Sequence, residues 1–287
     1  MENNMKKDLP IHILLAVAVA LTLYPFVFLI ITSFKTNDQF MHSFWNITTP
    51  LHWENYAQAW NAMSRYIMNS VIISVISVTG VVTVASLTAY AFARHKFPGS
   101  TFFFYAIISL MMIPGVLTLI SSFMWMKEFP FAGGNDWLGH GGKGLLNSHL
   151  ALILPYISGG QVFTIFILRS FIAGLPEDLF EAARIDGATE FRMYRSIVLP
   201  LCKPILGTVA IMTLLSVWND YVWPLIVLSD DSKRTLTIGL QFFSGTFYTN
   251  YGTQMAGYVI ACLPLLVLFF FAMKYFVEGL TSGAIKA

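Results

Sequence analysis

The sequence predicts an all-α fold: a polytopic membrane protein with six transmembrane helices. Composition is the first observation, since 56% of the 287 residues are hydrophobic, only 11% are charged and the mean hydropathy is +0.66. A soluble domain is usually about a quarter charged, so most of the outer surface of this chain is expected to face lipid. The second observation is a series of six apolar segments, each long enough to cross a bilayer, for which roughly 17–25 residues are needed.

The six predicted spans follow one another along the chain. The first follows Lys6 and Lys7, and we expect a retained helix, because its apolar run is longer than a signal-peptide core and no small-residue cleavage site follows it. Prolines inside the last four spans predict kinks, which are tolerated where neighbouring helices satisfy the freed carbonyl groups. The predicted spans are 11–33, 66–93, 101–126, 149–168, 204–228 and 255–277.

Basic residues orient these spans. Eleven of the 17 Lys and Arg residues lie on the side shared by both termini and the loop between the fourth and fifth spans. Because cytoplasmic loops carry the excess of Lys and Arg, both termini are predicted to be cytoplasmic. We therefore expect an N-terminal region with a cytoplasmic tail, the first span and an external segment (1–65), a transmembrane core (66–277) with a cytoplasmic loop (171–203), and a cytoplasmic C-terminal tail (278–287).

Several function classes are disfavoured. The net charge of +2 and the lack of a long basic run argue against nucleic acid. Cys202 and Cys262 lie in different surroundings and are interpreted as unpaired thiols, which provide neither a disulfide nor a metal site. The letters GGKG within 131–144 invite a nucleotide-binding interpretation, but Trp137 replaces the first glycine of the phosphate loop and Gly144 its Ser or Thr. We expect 131–144 to be an adaptable external loop.

A charged segment between the fourth and fifth spans is the most informative part of the sequence. Pro176 suits the first turn of a helix, and the acids that follow it suit the positive end of the helix dipole. Asp186–Gly187 predicts a break, because glycine adopts the backbone angles that end a helix. A second short helix is predicted at 188–196. Two short helices joined at a glycine would form a rigid cytoplasmic element, which we call the knob (residues 176–200).

The spacing within the knob is specific. Glu181-Ala182-Ala183, three residues, Gly187, nine residues, Ile197, one residue and Leu199-Pro200 resembles the EAA loop of ABC importer permeases. This spacing argues against the simpler interpretation, a solvated loop whose charges only enforce topology. Four other stretches resemble the carbohydrate subfamily, specifically the six-span permeases of maltose-type transporters: NSVIIS near Asn69, AYAFARHKFPG at 89–99, WNDYVWPL at 218–225 and EGLTSGAIKA at 278–287. The segment 131–144 departs from the resemblance, because it looks longer than the usual loop.

The resemblance implies a type I ABC importer permease fold and a non-catalytic transport subunit in the bacterial cell (inner) membrane. It implies that the knob docks into a cleft on separate ATPase subunits, which bind the ATP and Mg²⁺, so that this chain binds no cofactor. It further implies a second homologous permease subunit, two ATPase subunits, an extracytoplasmic solute-binding protein and a C-terminal tail that reaches toward the ATPases. The residues carried over to the docking element are Glu181, Ala182, Ala183, Asp186 and Gly187.

A carbohydrate pathway needs aromatic faces and polar side chains. Asp220 is the sharpest candidate, because an ionisable group at membrane depth is costly and tends to face a cavity. The alternative is a structural role, as a hydrogen-bonding group within the bundle or a cap at a kink. The other candidates for the substrate pathway, each of which has the same structural alternative, are Trp218, Asn219, Tyr221, Tyr156, Gln161 and Asn69.

Two classes of transport function follow. The first is a permease subunit of an ATP-driven importer for a sugar, an oligosaccharide or a related solute, with another solute class as the alternative. The second is a self-sufficient secondary transporter or channel, for which paired intramembrane charges and repeated halves are typical. The sequence offers only Asp220 near the interior of a span and no visible repeat, which favours the importer.

Overall fold

The computed structural model describes residues 2–247 and 249–284, and all regular secondary structure within these ranges is helical, as predicted. Four helices are long and apolar enough to cross a membrane, or up to six if each of two sharply bent helix pairs counts as one span. The helices are α1 (Glu2–Ser33), α2 (Asn37–His42), α3 (Glu54–Arg94), α4 (Ser100–Ser109), α5 (Gly115–Lys127), α6 (Leu150–Ala173), α7 (Asp178–Ile185), α8 (Glu190–Met193), α9 (Leu199–Leu201), α10 (Lys203–Asn219), α11 (Val222–Val227), α12 (Leu236–Thr246) and α13 (Tyr251–Ala284).

The predicted third span is broken rather than kinked. The segments Ser100–Met112 and Gly115–Lys127 meet at an angle of 103°. Pro114 has no backbone N–H and disfavours helical angles at the residue before it, and Ile113 is accordingly extended, with φ −85° and ψ 115°. The proline therefore ends one helix and allows the next to begin in a new direction.

The predicted fifth span also breaks, at a different residue from the one expected. Helix α10 ends at Asn219, and Asp220 is extended with φ −68° and ψ 129°, so the break precedes Pro224. Pro224 instead lies in the first turn of α11, where its missing N–H is not needed. At the other end of α10, Glu190–Leu201 and Lys203–Asn219 meet at 77°.

The chain divides into two compact units. One comprises Met1–Arg65 and Gly239–Leu266, and the other Tyr66–Ile238 and Val267–Ala287. Within the first unit, the buried side chain of Asn55 donates to the carbonyl oxygens of Ser33 at 2.9 Å and Lys35 at 3.0 Å. The hydroxyl of Thr253 donates to the Asn55 Oδ1 at 3.1 Å. These bonds join residues of α3 and α13 to the end of α1.

The second unit contains two apolar clusters. One surrounds Phe180 and Tyr194 of the knob and includes Ala85 and Ala89 of α3, both 0% exposed. The other is formed by α5, α6, α10 and α11, where the Trp223 indole donates to the carbonyl oxygen of Ala151 at 3.0 Å. The first cluster packs the knob against α3 and α6. The second cluster packs together the helices that line a cavity.

The predicted C-terminal tail, 278–287, continues α13 as far as Ala284. Residues 285–287 of that tail lie outside the described residues. The predicted division into an N-terminal region, a transmembrane core and a tail remains a prediction.

Candidate functional site

The knob consists of two short helical segments joined by a tight turn. Helix α7 ends at Ile185, and Gly187 then adopts φ +74°, a left-handed conformation that a glycine accepts readily. The break predicted at this glycine is therefore present. The helix boundaries differ from the prediction: α7 begins at Asp178 rather than near Pro176.

The second segment differs more from its prediction. Instead of one helix over 188–196, α8 covers only Glu190–Met193, and Tyr194–Val198 form a π-helical turn. Thr189 caps α8, since its hydroxyl accepts from the Arg192 N–H at 3.3 Å. Single π-helical turns are rare and occur frequently at functional sites.

The base of the knob is tied to α3. One guanidinium nitrogen of Arg94 donates to the Glu177 carboxylate at 2.6 Å, and its Cζ lies 3.9 Å from the centroid of the Phe180 ring. Phe180 is fully buried. Arg184 also donates to the Glu177 carboxylate, at 3.2 Å. The charged groups of this segment thus hold it in one conformation instead of only facing water.

The tip of the knob is apolar and exposed. Ile185 is 87% exposed and Phe191 is 67% exposed. A Cβ added to Gly187 would meet no atom within 4 Å. Of the predicted docking residues, Ala183 is half-buried against the apolar cluster, whereas Glu181, Ala182, Asp186 and Gly187 are exposed.

A cavity of about 1090 Å³ lies between α5, α6, α10 and α11. Two of the predicted pathway residues line it, Asp220 and Tyr156. The Tyr156 hydroxyl donates to the Asp220 carboxylate at 2.8 Å, and the Trp223 N–H donates to the same carboxylate at 3.4 Å. Asp220 therefore lines the cavity and also accepts a hydrogen bond in the first turn of the helix that follows the break. Its place in a substrate pathway stays a prediction.

The other predicted pathway residues are not among those that line this cavity. Trp218 is buried, and the Asn219 amide donates to the carbonyl oxygen of Leu215 at 2.9 Å. The Asn69 amide donates to the carbonyl oxygens of Ser232 at 3.0 Å and Arg234 at 2.9 Å. The remaining two are Tyr221, which is half-buried, and Gln161, whose buried amide atoms have no hydrogen-bond partner among the described residues.

Several cavity residues were missed from the sequence. Hydroxyl groups of α5 and α10 line the cavity together with the aromatic rings of Trp125 and Phe163. The signal that would have found them is their spacing, since hydroxyl residues three or four positions apart share one face of a helix. Rings and hydroxyls together suit a polar solute with apolar faces. The hydroxyl residues are Thr118, Ser122, Thr213 and Ser216.

The glycine-rich loop contains several hydrogen bonds between its own residues. The Asn135 amide donates to the carbonyl oxygens of Lys127 at 2.8 Å and Phe129 at 3.0 Å, and its oxygen accepts from the Gly142 N–H at 2.7 Å. The Asp136 carboxylate accepts from the N–H groups of Leu138 and His140, both at 2.8 Å. The bond from His140, aided by that from Leu138, lowers the pKa of Asp136 despite some desolvation. Hydrogen bonds between the side chains and the backbone of this segment thus connect its two ends.

Comparison with known families decides the class of the protein. Residues 81–282, more than half of the chain, match the family described as binding-protein-dependent transport system inner membrane component. The chain belongs to this family. The resemblance inferred from the EAA-loop spacing and the other motifs is therefore confirmed, and the chain is a membrane component of a transport system.

Relatives of this transport family align over most of the chain. A probable ABC transporter permease protein, YurM of Bacillus subtilis (strain 168), is 32% identical over 92% of this chain and 83% of its own length. The arabinooligosaccharides transport system permease protein AraQ of Halalkalibacterium halodurans is 32% identical, over 93% of this chain and 92% of its own length. The melibiose/raffinose/stachyose import permease protein MelC of Bacillus subtilis (strain 168) is 31% identical over 98% of both chains.

A solved structure supports the permease fold. A chain from a bacterial ABC transporter involved in the import of the acidic polysaccharide alginate superposes with a TM-score of 0.79, at 20% identity, over 96% of this chain and 98% of that chain. At this level of identity the similarity concerns the fold alone. The predicted ABC importer permease fold is thereby confirmed.

Proposed function

We propose that this chain is a permease subunit of an ATP-driven importer that moves a sugar, an oligosaccharide or a sugar-related solute across the bacterial cell membrane by alternating access. It does not itself hydrolyse ATP. Its partners are a second homologous permease, two ATPase subunits that bind ATP and Mg²⁺, and an extracytoplasmic solute-binding protein. Both termini and the knob lie in the cytoplasm, as the distribution of Lys and Arg favours.

The exposed apolar tip of a fixed knob is the observation that carries this proposal. Ile185 is 87% exposed, although Phe180 at the base of the same helix is buried and its ring lies against the Arg94 guanidinium. An exposed apolar patch rimmed by charges is typical of a protein interface. The docking surface comprises Ile185 and the five residues of the EAA loop: Glu181, Ala182, Ala183, Asp186 and Gly187.

Coupling to the ATPases requires that each nucleotide state of the ATPase pair favours one arrangement of the helices. If the knob is rigid, a displacement of the ATPase subunits moves the helices attached to it. A flexible loop would change its own conformation instead, and the helices would stay in place. The hydrogen-bonded base gives the knob this rigidity, and Gly187 permits the tight turn between its two helical segments. Closure of the ATPase pair then moves the helices and opens the pathway to one side of the membrane at a time.

The sugar class of the solute is supported by the relatives and by the cavity. One relative named as an arabinooligosaccharides transport system permease and one named as a melibiose/raffinose/stachyose import permease match nearly the whole chain. The cavity has the rings and hydroxyls that pair with sugar rings and sugar hydroxyls. Its volume of about 1090 Å³ is slightly larger than that of most small-molecule sites, which are usually about 300–1,000 Å³.

Purification of the membrane complex tests the proposal. We expect two further kinds of subunit, a second permease and an ATPase, to co-purify with the tagged chain. We also expect the ATPase activity of the reconstituted complex to rise when the solute-binding protein and a panel of neutral oligosaccharides are added. Absence of a co-purifying ATPase would overturn the importer proposal. Stimulation by a solute of another class alone would overturn the carbohydrate assignment.

A further inference from the structure

Three polar residues at the end of α3 bond to three different parts of the knob. Ser86, Tyr90 and Arg94 are spaced four residues apart, so their side chains lie on one face of the helix. We call this face the α3 seam. Its three bonds are Ser86 Oγ to the Tyr194 hydroxyl at 2.7 Å, the Tyr90 hydroxyl to the Glu190 carboxylate at 2.7 Å, and the Arg94 guanidinium to the Glu177 carboxylate at 2.6 Å.

The α3 side of the seam is buried. Ser86 is 2% exposed and Tyr90 6%, and the side chain of Arg94 is also 6% exposed. Separation of the knob from α3 would leave the buried Tyr90 hydroxyl without its acceptor in a poorly hydrated place, which is costly. Beneath the seam, Ala85 and Ala89 are 0% exposed and allow close approach. The knob and this end of α3 are therefore expected to move as one body.

Arg94 brings a third element into the same body. Its second guanidinium nitrogen donates to the carbonyl oxygens of Ile172 and Leu175, both at 2.7 Å. These carbonyl groups lie at and just beyond the C-terminal end of α6, where a cation is favoured by the helix dipole. The end of α3, the end of α6 and the start of the knob are thus joined at one guanidinium group.

Further back along α3, the helix packs against the wall of the cavity. A Cβ added to Gly160 of α6 would lie 2.7 Å from a methyl group of Val81, which shows how closely the two helices approach. Gly159 and Gly160 line the cavity. Only one and a half turns of helix separate Val81 from Ser86, the first residue of the seam.

We propose that Ser86, Tyr90 and Arg94 are positioning residues that pass movement of the knob to the cavity wall through α3. This inference rests on the proposed function, since the movement originates in the ATPase subunits. None of the three residues lies at the apolar tip of the knob. Their bonds therefore pass movement of the knob to α3 and do not take part in docking to the ATPases. Loss of a seam bond then uncouples the cavity from the nucleotide state while the ATPases stay bound.

The experiment measures how accessible one residue of the cavity lining is, and it does not require the solute to be known. Thr118, an exposed residue of the cavity lining, is substituted by cysteine (Thr118→Cys) in the assembled complex in lipid vesicles. The rate of its labelling by N-ethylmaleimide is measured by peptide mass spectrometry, without nucleotide and with ATP plus vanadate. We expect a nucleotide-dependent change in rate in the otherwise unaltered complex. Tyr90→Phe removes the donor of one seam bond and Glu190→Leu its acceptor, and each should reduce that change roughly five- to tenfold.

A matched control and a double variant distinguish loss of the seam bond from a general loss of protein stability. Tyr105→Phe removes the same hydroxyl group from an exposed tyrosine on α4 and should leave the nucleotide-dependent change intact. Because Tyr90 and Glu190 share one bond, the double variant should be no worse than the more severe single variant. Co-purification of the ATPase subunits should remain at the unaltered level in all four variants. Ser86→Ala should reproduce the effect at a second point of the seam.

The outcomes are distinct. A full nucleotide-dependent change in the Tyr90→Phe and Glu190→Leu complexes would overturn the seam proposal and leave the importer proposal standing. Additive effects of the two substitutions, or loss of the ATPase subunits from the variants, would also overturn it, because the residues would then act separately or only maintain the docking surface. If the unaltered complex retained no ATPase, the proposed function would fail and the seam proposal with it.

Discussion

The hydroxyl of Tyr156 lies 2.8 Å from the carboxylate of Asp220, and this bond joins the middle of α6 to the break between α10 and α11. Both residues line the cavity. The break frees backbone groups, and the same carboxylate accepts from one of them, the Trp223 N–H, at 3.4 Å. The geometry of the cavity wall therefore depends on one carboxylate that bonds to groups on two helices.

Substitution of this pair should affect stability and transport together. Asp220→Asn keeps the shape of the side chain but removes its charge, and Tyr156→Phe removes the donor. We expect each change to lower the free energy of unfolding by roughly 0.5–1.5 kcal/mol, because a half-buried partner loses its hydrogen bond. Thermal unfolding of the purified complex measures this, with Tyr105→Phe as the control. Unchanged thermal stability in both variants would show that the bond does not hold the break.

The turn of the knob should tolerate only residues that accept left-handed backbone angles. Gly187 has φ +74° and open space around it, so the backbone rather than crowding limits substitution within this chain. Gly187→Asn should retain most transport, whereas Gly187→Val should lose it, since left-handed angles cost an ordinary residue about 1–2 kcal/mol. Solute uptake into vesicles is the measurement, and the amount of each protein in the membrane is the control. Equal uptake by the two variants would contradict this view of the turn.

A bulky or charged residue at Ala183 should weaken transport without preventing insertion into the membrane. Ala183 is half-buried and packs against the apolar cluster below the knob, so a larger side chain has to displace that cluster or obstruct docking. We expect Ala183→Glu to reduce both uptake and solute-stimulated ATP hydrolysis. Leu179→Glu, a change at an exposed position on the same helix, serves as a comparison. Full uptake and full ATPase stimulation by Ala183→Glu would refute the docking assignment.

The packing between α3 and α6 should distinguish two adjacent glycines. A Cβ at Gly160 would lie 2.7 Å from Val81, whereas a Cβ at Gly159 would meet no atom within 4 Å. Gly160→Ala should therefore destabilise the protein by roughly 1–3 kcal/mol, the usual cost of overpacking. Gly159→Ala should be neutral or stabilising by up to about 1 kcal/mol, because alanine favours helix.

Thermal unfolding of both glycine variants tests this difference. Val81→Ala combined with Gly160→Ala should recover part of the lost stability, since it removes the methyl groups that obstruct the new side chain. If the two single variants unfolded at the same temperature, the close approach of α3 and α6 at this point would be incorrect.

The glycine-rich loop should loosen in acid. Backbone hydrogen bonds from His140 and Leu138 lower the pKa of Asp136, so the carboxylate stabilises the loop above its ordinary pKa of 3.8, and this contribution is lost as the pH falls through the lowered value. Digestion with pepsin, followed by mapping of cuts within 128–148, measures the loosening. Asp136→Ala should be cut readily throughout the range in which pepsin is active. Identical cutting of the two proteins at every pH would exclude a role for this carboxylate.

The spans and the knob could be predicted because their causes are local. Runs of apolar residues identify helices that lie in lipid, and the Asp186–Gly187 signal identifies a turn whatever surrounds it. The breaks were predicted less well. Pro114 ends its helix, whereas Pro224 lies inside the first turn of α11, because the chain had already changed direction at Asp220. A proline favours a break nearby, but the neighbouring helices decide at which residue the break forms.

Composition, segment length and motif spacing are properties of the linear chain, and they were sufficient to predict a helical membrane permease. The coupling role of the knob and its cytoplasmic side stay predictions. The pairing of polar side chains, in contrast, depends on how the helices pack. Asp220 faces Tyr156 across a cavity, Asn69 bonds to a loop, and Arg94 joins α3, α6 and the knob. A polar residue in a membrane helix bonds to whichever partner packing brings near it, and those partners lie far away in sequence.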